Sequence, residues 1–124
     1  MTKKELRAMS PAETEILRQV WQLNEATVQQ ICDQLPPERD IGYNSVHTLL
    51  CRLERKGYLR HRKRGKAHVF YPVVEQKDVV KRTVGDFLDR LFGGDPRPLV
   101  QSLVEDGKIT EDDIKRLRKL IKKK

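Results

Sequence analysis

Tyr43, Asn44, Ser45, His47 and Thr48 open a helical pattern, and Arg52 stands one turn beyond Thr48. The apolar residues of the same pattern are Val46, Leu49, Leu50 and Leu53. Helical spacing therefore puts Asn44, Ser45, His47, Thr48 and Arg52 on the opposite face. Short donors and acceptors at a helix start can reach base edges in a major groove, and a longer cation behind them can neutralise phosphate. A merely solvated face would more often carry Glu, Lys and Gln, because Asn-Ser-x-His-Thr is poor helix-forming material. Tyr43, Asn44, Ser45, His47, Thr48 and Arg52 are the candidate reading set, and double-stranded DNA is the ligand they suit.

A second set lies just downstream. Tyr58 to Arg62 and Ala67 to Tyr71 are short β-rich segments around Lys63-Arg64-Gly65-Lys66, the pattern of a hairpin with a glycine turn. From Arg52 to Lys66 there are eight Lys and Arg residues against the single acid Glu54. A tip of like charge repels itself unless an anion neutralises it, and a phosphate backbone or minor groove is the natural anion. Arg62, Lys63, Arg64 and Lys66 are the candidate wing contacts. The plainer reading of such a run is a solubilising loop.

Other chemistry is thinly represented. His47 and Cys51 are four apart and could meet on one helix face, and His61 and His68 could pair across the hairpin. A zinc or copper site would need further ligands. The plain expectation is that Cys51 packs in the core, that the histidines face DNA or water, and that there is no metal and no cofactor. No Ser-His-Asp or Cys-His-Asn set, GxGxxG or HExxH is present, so an enzyme is not expected. Cys32 and Cys51 form no CxxC and read as buried, reduced thiols of a cytoplasmic chain. No run approaches the ~20 apolar residues of a membrane span, and no signal peptide follows the basic N-terminus, so no membrane insertion is expected.

The elements that must position these residues are legible from caps and periodicity. Ser10-Pro11-Ala12-Glu13 is a capping box with proline at the first helical position, and Ile16, Leu17, Val20 and Trp21 follow at helical spacing, giving a helix over about 11–23. Thr27 and Gln30 form a second box before Val28, Ile31, Cys32 and Leu35, and Pro36-Pro37 stops that helix near 35. A polar loop fills 36–42. The third helix runs from Tyr43 to Lys56 and ends on Gly57. Three helices and a hairpin in this order are a winged helix-turn-helix, with the third helix in the groove. Its expected core is Ile16, Leu17, Val20, Val28, Ile31, Leu35, Val46, Leu49, Leu50 and Leu53, in a head over 1–74.

Residues 75–124 return to helix. Val80, Val84, Phe87, Leu88 and Leu91 form a wide apolar stripe, broken by Gly93-Gly94-Asp95-Pro96. Leu99, Val100, Leu103 and Val104 mark a fifth helix, and Thr110 caps a sixth lined by Ile114, Leu117, Leu120 and Ile121. The chain ends on Lys122-Lys123-Lys124. Three such helices are too little to bury alone once the head has closed its own core, so a symmetric homodimer is expected. Val80, Val84, Phe87, Leu88, Leu91, Leu99, Leu103, Leu117 and Leu120 are its candidate contacts. The expected fold is mostly α with a small β-hairpin, a winged helix-turn-helix head followed by a helical dimerisation segment. With 124 residues, 37% hydrophobic, 35% charged and a net charge of +8, the chain supports a modest core and favours a polyanionic partner.

Ser10-Pro11-Ala12-Glu13-x-Glu15, Ala26-Thr27-Val28, Thr48-Leu49-Leu50-x-Arg52-Leu53-x-x-Lys56-Gly57, Tyr71-Pro72 and Leu91-Phe92-Gly93-Gly94 follow one another along nearly the whole chain. In this order they resemble the penicillinase-repressor family, of BlaI, MecI and CopY type. The resemblance implies a homodimeric winged-helix repressor on a palindromic operator, dimerised through its C-terminal helices. For the β-lactamase members it also implies a membrane sensor-protease that triggers cleavage at an Asn-Phe bond near the end of the first dimerisation helix. Here Leu91-Phe92 stands at that place. The Cys-x-Cys pairs of copper-responsive members are absent, since no cysteine follows Cys51. Two other functions compete with a sequence-specific repressor. A non-specific nucleic-acid-binding protein would not need Asn44, Ser45 or His47, and a winged-helix protein-interaction module would not need the dense basic wing.

Overall fold

The computed structural model describes residues 7–122; the last two lysines of the C-terminal run lie outside the described residues. The chain divides into two compact units, Met1–Val79 and Val80–Lys124.

The first unit begins with α1, Pro11–Leu23. Ser10 Oγ accepts from the Glu13 amide at 3.1 Å while the Ser10 amide donates to the Glu13 carboxylate at 2.9 Å, so the box closes in both directions. Helix α2, Val28–Gln34, starts on the same device, with Thr27 and Gln30 exchanging both bonds. It ends one residue before the expected Leu35, whose ψ is already extended at 144° as the residue before a proline prefers. The expected loop contains a single 3₁₀ turn, Pro37–Arg39. Helix α3 then spans Tyr43–Arg55. Gly57 takes a φ of +96°, its amide donates to the Glu54 carbonyl, and the Tyr58 amide reaches back to the Leu53 carbonyl. This is a Schellman ending, which needs the left-handed residue that glycine supplies without strain.

Strands β1, Leu59–Arg64, and β2, Ala67–Pro72, pair antiparallel, with Leu59 opposite Pro72 and Arg64 opposite Ala67. The turn is the two residues Gly65 and Lys66, with Gly65 at φ +62°. On its other edge β2 gains a second partner: Ala26 and Phe70 exchange both backbone bonds, at 2.9 and 2.8 Å. The segment between α1 and α2 is thus stitched to the wing.

All ten expected core residues are buried, and Ala26, Tyr58, Leu59, Val69, Phe70 and Val79 join them. The wing is therefore part of the core and not an appendage to it. Trp21 Nε1 donates to the Val74 carbonyl at 3.0 Å, fixing the exit from β2.

The second unit carries most of α4, Gln76–Phe92, followed by α5, Arg97–Glu105, and α6, Glu111–Lys122. Thr110 caps α6, its hydroxyl accepting from the Asp113 amide and its own amide donating to the Asp113 carboxylate. Among the described residues none after Val79 is buried. The apolar stripes of these helices have no interior of their own to enter.

Candidate nucleic-acid interface

Tyr43, Asn44, Ser45, His47, Thr48 and Arg52 are all exposed, while Val46, Leu49, Leu50 and Leu53 on the other side of α3 are buried. The six candidate reading residues therefore share one outward surface. Gly42 precedes α3 and offers no side-chain cap to its first amides. The start of this helix presents open backbone donors beside Asn44 and Ser45.

Helix α3 is held at its far end by a near-buried ion pair. Lys56 Nζ donates to Glu13 Oε1 at 2.6 Å and to the Ala8 carbonyl at 2.8 Å. The Glu13 side chain is only 3% exposed. Burial opposes its ionisation, but bonds from Lys56 and the Ser10 amide and the charges of Lys56 and Arg52 outweigh that, so its carboxyl sits below the usual glutamate range. Arg39, the last residue of the 3₁₀ turn, grips Glu15 of α1 with two nitrogens at 2.7–3.0 Å and lowers that carboxyl too.

His47 Nε2 lies 3.7 Å from Cys51 Sγ, so the two do share a face. Cys51 is half-buried at the edge of the interface and not in the core as expected. The reason is geometric: one turn after His47 it lies at the margin between the apolar and polar faces. Cys32 is likewise half-buried, and burial followed by the Asp33 charge pushes its thiol up, keeping it protonated. His61 and His68 stack with ring centres 4.6 Å apart, and His61 Nδ1 lies 2.8 Å from a Glu54 oxygen. Among the described residues no group of three or more His, Cys, Asp or Glu could hold a metal.

The wing corrects one step of the sequence argument. Its tip is not a set of cations waiting for an external anion. Glu25, just before the Ala26 bridge, places one carboxylate oxygen 2.7 Å from Arg62 Nη2 and the other 2.7 Å from Arg64 Nη2. Those two bonds, Arg62 first, lower the Glu25 carboxyl. Arg62 also lies over the Tyr71 ring, 5.8 Å from its centre. Lys63 and Lys66 are exposed and have no ion-pair partner among the described residues. Glu13, Glu25 and Tyr71 are absent from the residues expected to matter here. Neither acid could be found from local spacing, because each meets its partner only after the chain has folded back.

Of the expected dimer contacts, Val80, Val84, Phe87, Leu91, Leu117 and Leu120 are exposed, and Leu88, Leu99 and Leu103 are half-buried. Val100, Val104, Ile114 and Ile121 are exposed as well. No helix among the described residues is long and apolar enough to cross a membrane.

Residues 9–123 match the family described as Penicillinase repressor. Over 116 residues the chain is 29% identical to the methicillin resistance regulatory protein MecI of Mammaliicoccus sciuri, covering 94% of each. It is 24% identical over 118 residues to the penicillinase repressor of Bacillus licheniformis, covering 95% of this chain and 92% of that one. The solution structure of the DNA-binding domain of the repressor BlaI aligns with 61% of this chain and 93% of its own, with a TM-score of 0.53 at 26% identity.

Proposed function

The chain belongs to the penicillinase repressor family, whose members are DNA-binding transcriptional repressors and not enzymes, and on that premise we propose that it acts as a homodimer on a palindromic operator. The observation that carries the dimer is the second unit. Val80, Val84, Phe87 and Leu91 repeat along one stripe of α4, yet nothing described after Val79 is buried. Removing a Val-, Leu- or Phe-sized side chain from water contributes about 1.5–3 kcal/mol. A second copy brings the same stripe and covers it symmetrically.

A twofold dimer presents two α3 faces related by the same axis, so its operator is an inverted repeat with half-sites about one helical turn apart. Tyr43, Asn44, Ser45, His47 and Thr48 read bases, Arg52 and the wing set Arg62, Lys63, Arg64 and Lys66 meet phosphate, and promoter occlusion represses. The reading places the protein in the cytoplasm with the chromosome. It also extends to induction by a membrane sensor-protease, but not to a cut at the Leu91–Phe92 bond, which lacks the Asn of the family's cleavage place and lies within α4.

Sedimentation and DNA titration of the full chain and of a head cut after Val79 test the dimer. The cut falls there, not near Val74, because Val79 is buried with the head. The full chain should be dimeric at micromolar concentration and bind the palindrome about 10²–10⁴ times more tightly than the head, with little difference on a half-site. A monomeric full chain, or a head that binds the palindrome equally well, refutes the proposal.

A further inference from the structure

Arg62 and Arg64 alternate with Lys63 along β1, so they share a face of the hairpin and Lys63 stands on the other. The Ala26–Phe70 bridge brings the α1–α2 connection alongside, and Glu25 is the residue next to that bridge. Its two oxygens are divided, one to each guanidinium, at 2.7 Å. A carboxylate shared by two arginines makes the same charge-assisted contacts that a phosphate oxygen pair would make.

We propose that Glu25 is an internal stand-in for phosphate: it holds Arg62 and Arg64 in the free protein, competes with the DNA backbone for them, and so sets the wing's affinity for DNA of any sequence. The proposal rests on the wing meeting DNA, as read above. Both arginines remain reachable, 47% and 60% exposed, so a phosphate can approach without unfolding anything. Arg62 keeps a second hold on the Tyr71 face, whereas Arg64 has Glu25 alone, which makes Arg64 the first to be released. Lys63 and Lys66 are then the cations that meet any duplex, and the arginines contribute only as far as phosphate displaces the carboxylate.

The test is the salt dependence of binding to a random-sequence duplex, measured by fluorescence anisotropy with the full chain. Glu25→Gln keeps the shape and removes the charge. It should bind more tightly and steepen the log–log salt slope by about 0.9 for each arginine passed to a phosphate. If both pass, the gain over the parent protein shrinks roughly tenfold per wing between about 50 and 200 mM salt. Glu25→Ala should do the same, and thermal melting checks that both variants are folded. In an Arg62→Gln/Arg64→Gln background, Glu25→Gln should leave the slope where it is. Lys63→Gln/Lys66→Gln, by contrast, should flatten the slope. If the lysine variant flattens it while both Glu25 variants leave it unchanged or weaken binding, Glu25 only scaffolds the wing and the proposal is overturned alone. If the lysine variant also leaves the slope unchanged, the wing does not meet DNA and both readings fall.

Discussion

Removing the partners of the Glu13–Lys56 pair one at a time should destabilise the head unequally. Lys56→Met removes the cationic partner of a carboxylate whose side chain is 3% exposed and leaves it one backbone donor, the Ser10 amide. An uncompensated buried charge of this kind costs about 3–5 kcal/mol, here at the lower end because the group can take a proton instead. Glu13→Gln leaves a neutral acceptor of the same shape. Lys56 keeps its bond to the Ala8 carbonyl and, at 23% exposure, a route to water. That loss is about 1–1.5 kcal/mol. At roughly 4–8 °C per kcal/mol for a unit of this size, Lys56→Met should lower Tm by more than about 12 °C and Glu13→Gln by about 4–12 °C.

Thermal melts at one protein concentration, repeated from pH 7 into acid, give the check. The folded carboxyl lies below its ordinary range, so the pair stabilises fully above that range and is lost as pH falls through the lowered value. Glu13→Gln has nothing to titrate there, so the gap between it and the parent protein should close in that acid window. If Lys56→Met is no worse than Glu13→Gln, or the gap persists in acid, the pair does not anchor the end of α3 as argued.

Two further outcomes follow from the same geometry. His47→Ala and Thr48→Ala should each cost about 1–3 kcal/mol of operator preference in competition titrations, with binding to random duplex little changed; an equal fall on both DNAs would make these residues positioning contacts. Phe70→Ala should cost about 3–5 kcal/mol in denaturant unfolding, because the ring is 1% exposed and shares the core with α1 and α3; a loss below about 1 kcal/mol would place the core elsewhere.

The helices were readable because their ends are chemical and local. Ser10 with Glu13, Thr27 with Gln30, and Gly57 each mark a boundary within a few residues, and each boundary falls within a residue of its expected place. The turn at Pro37–Arg39 was not readable, since three residues carry no period. The hairpin's share of the core was hidden for another reason. Val69 and Phe70 are consecutive in β2 and both are buried, so the two faces do not alternate between core and water. Val79 lies in the pattern of α4 yet is buried with the head, because periodicity shows which face is apolar but not which unit covers it.

The interface divides along the same line. The outward set on α3 was legible because one helix fixes it: Val46, Leu49, Leu50 and Leu53 choose the inner face, and the polar residues have nowhere else to point. The wing's charge was not, because a window of sequence counts cations without their counter-ions. Lys56 belongs to Glu13, and Arg62 and Arg64 belong to Glu25, acids that precede them by a helix or more. The cations of this stretch without an ion-pair partner among the described residues are Arg52, Arg55, Arg60, Lys63 and Lys66. Counterion release counts only cations that reach the backbone, so the slope of affinity against salt should follow this smaller set until Glu25 lets go. Net charge thus points to the class of partner, while the fold decides how much of that charge the partner meets.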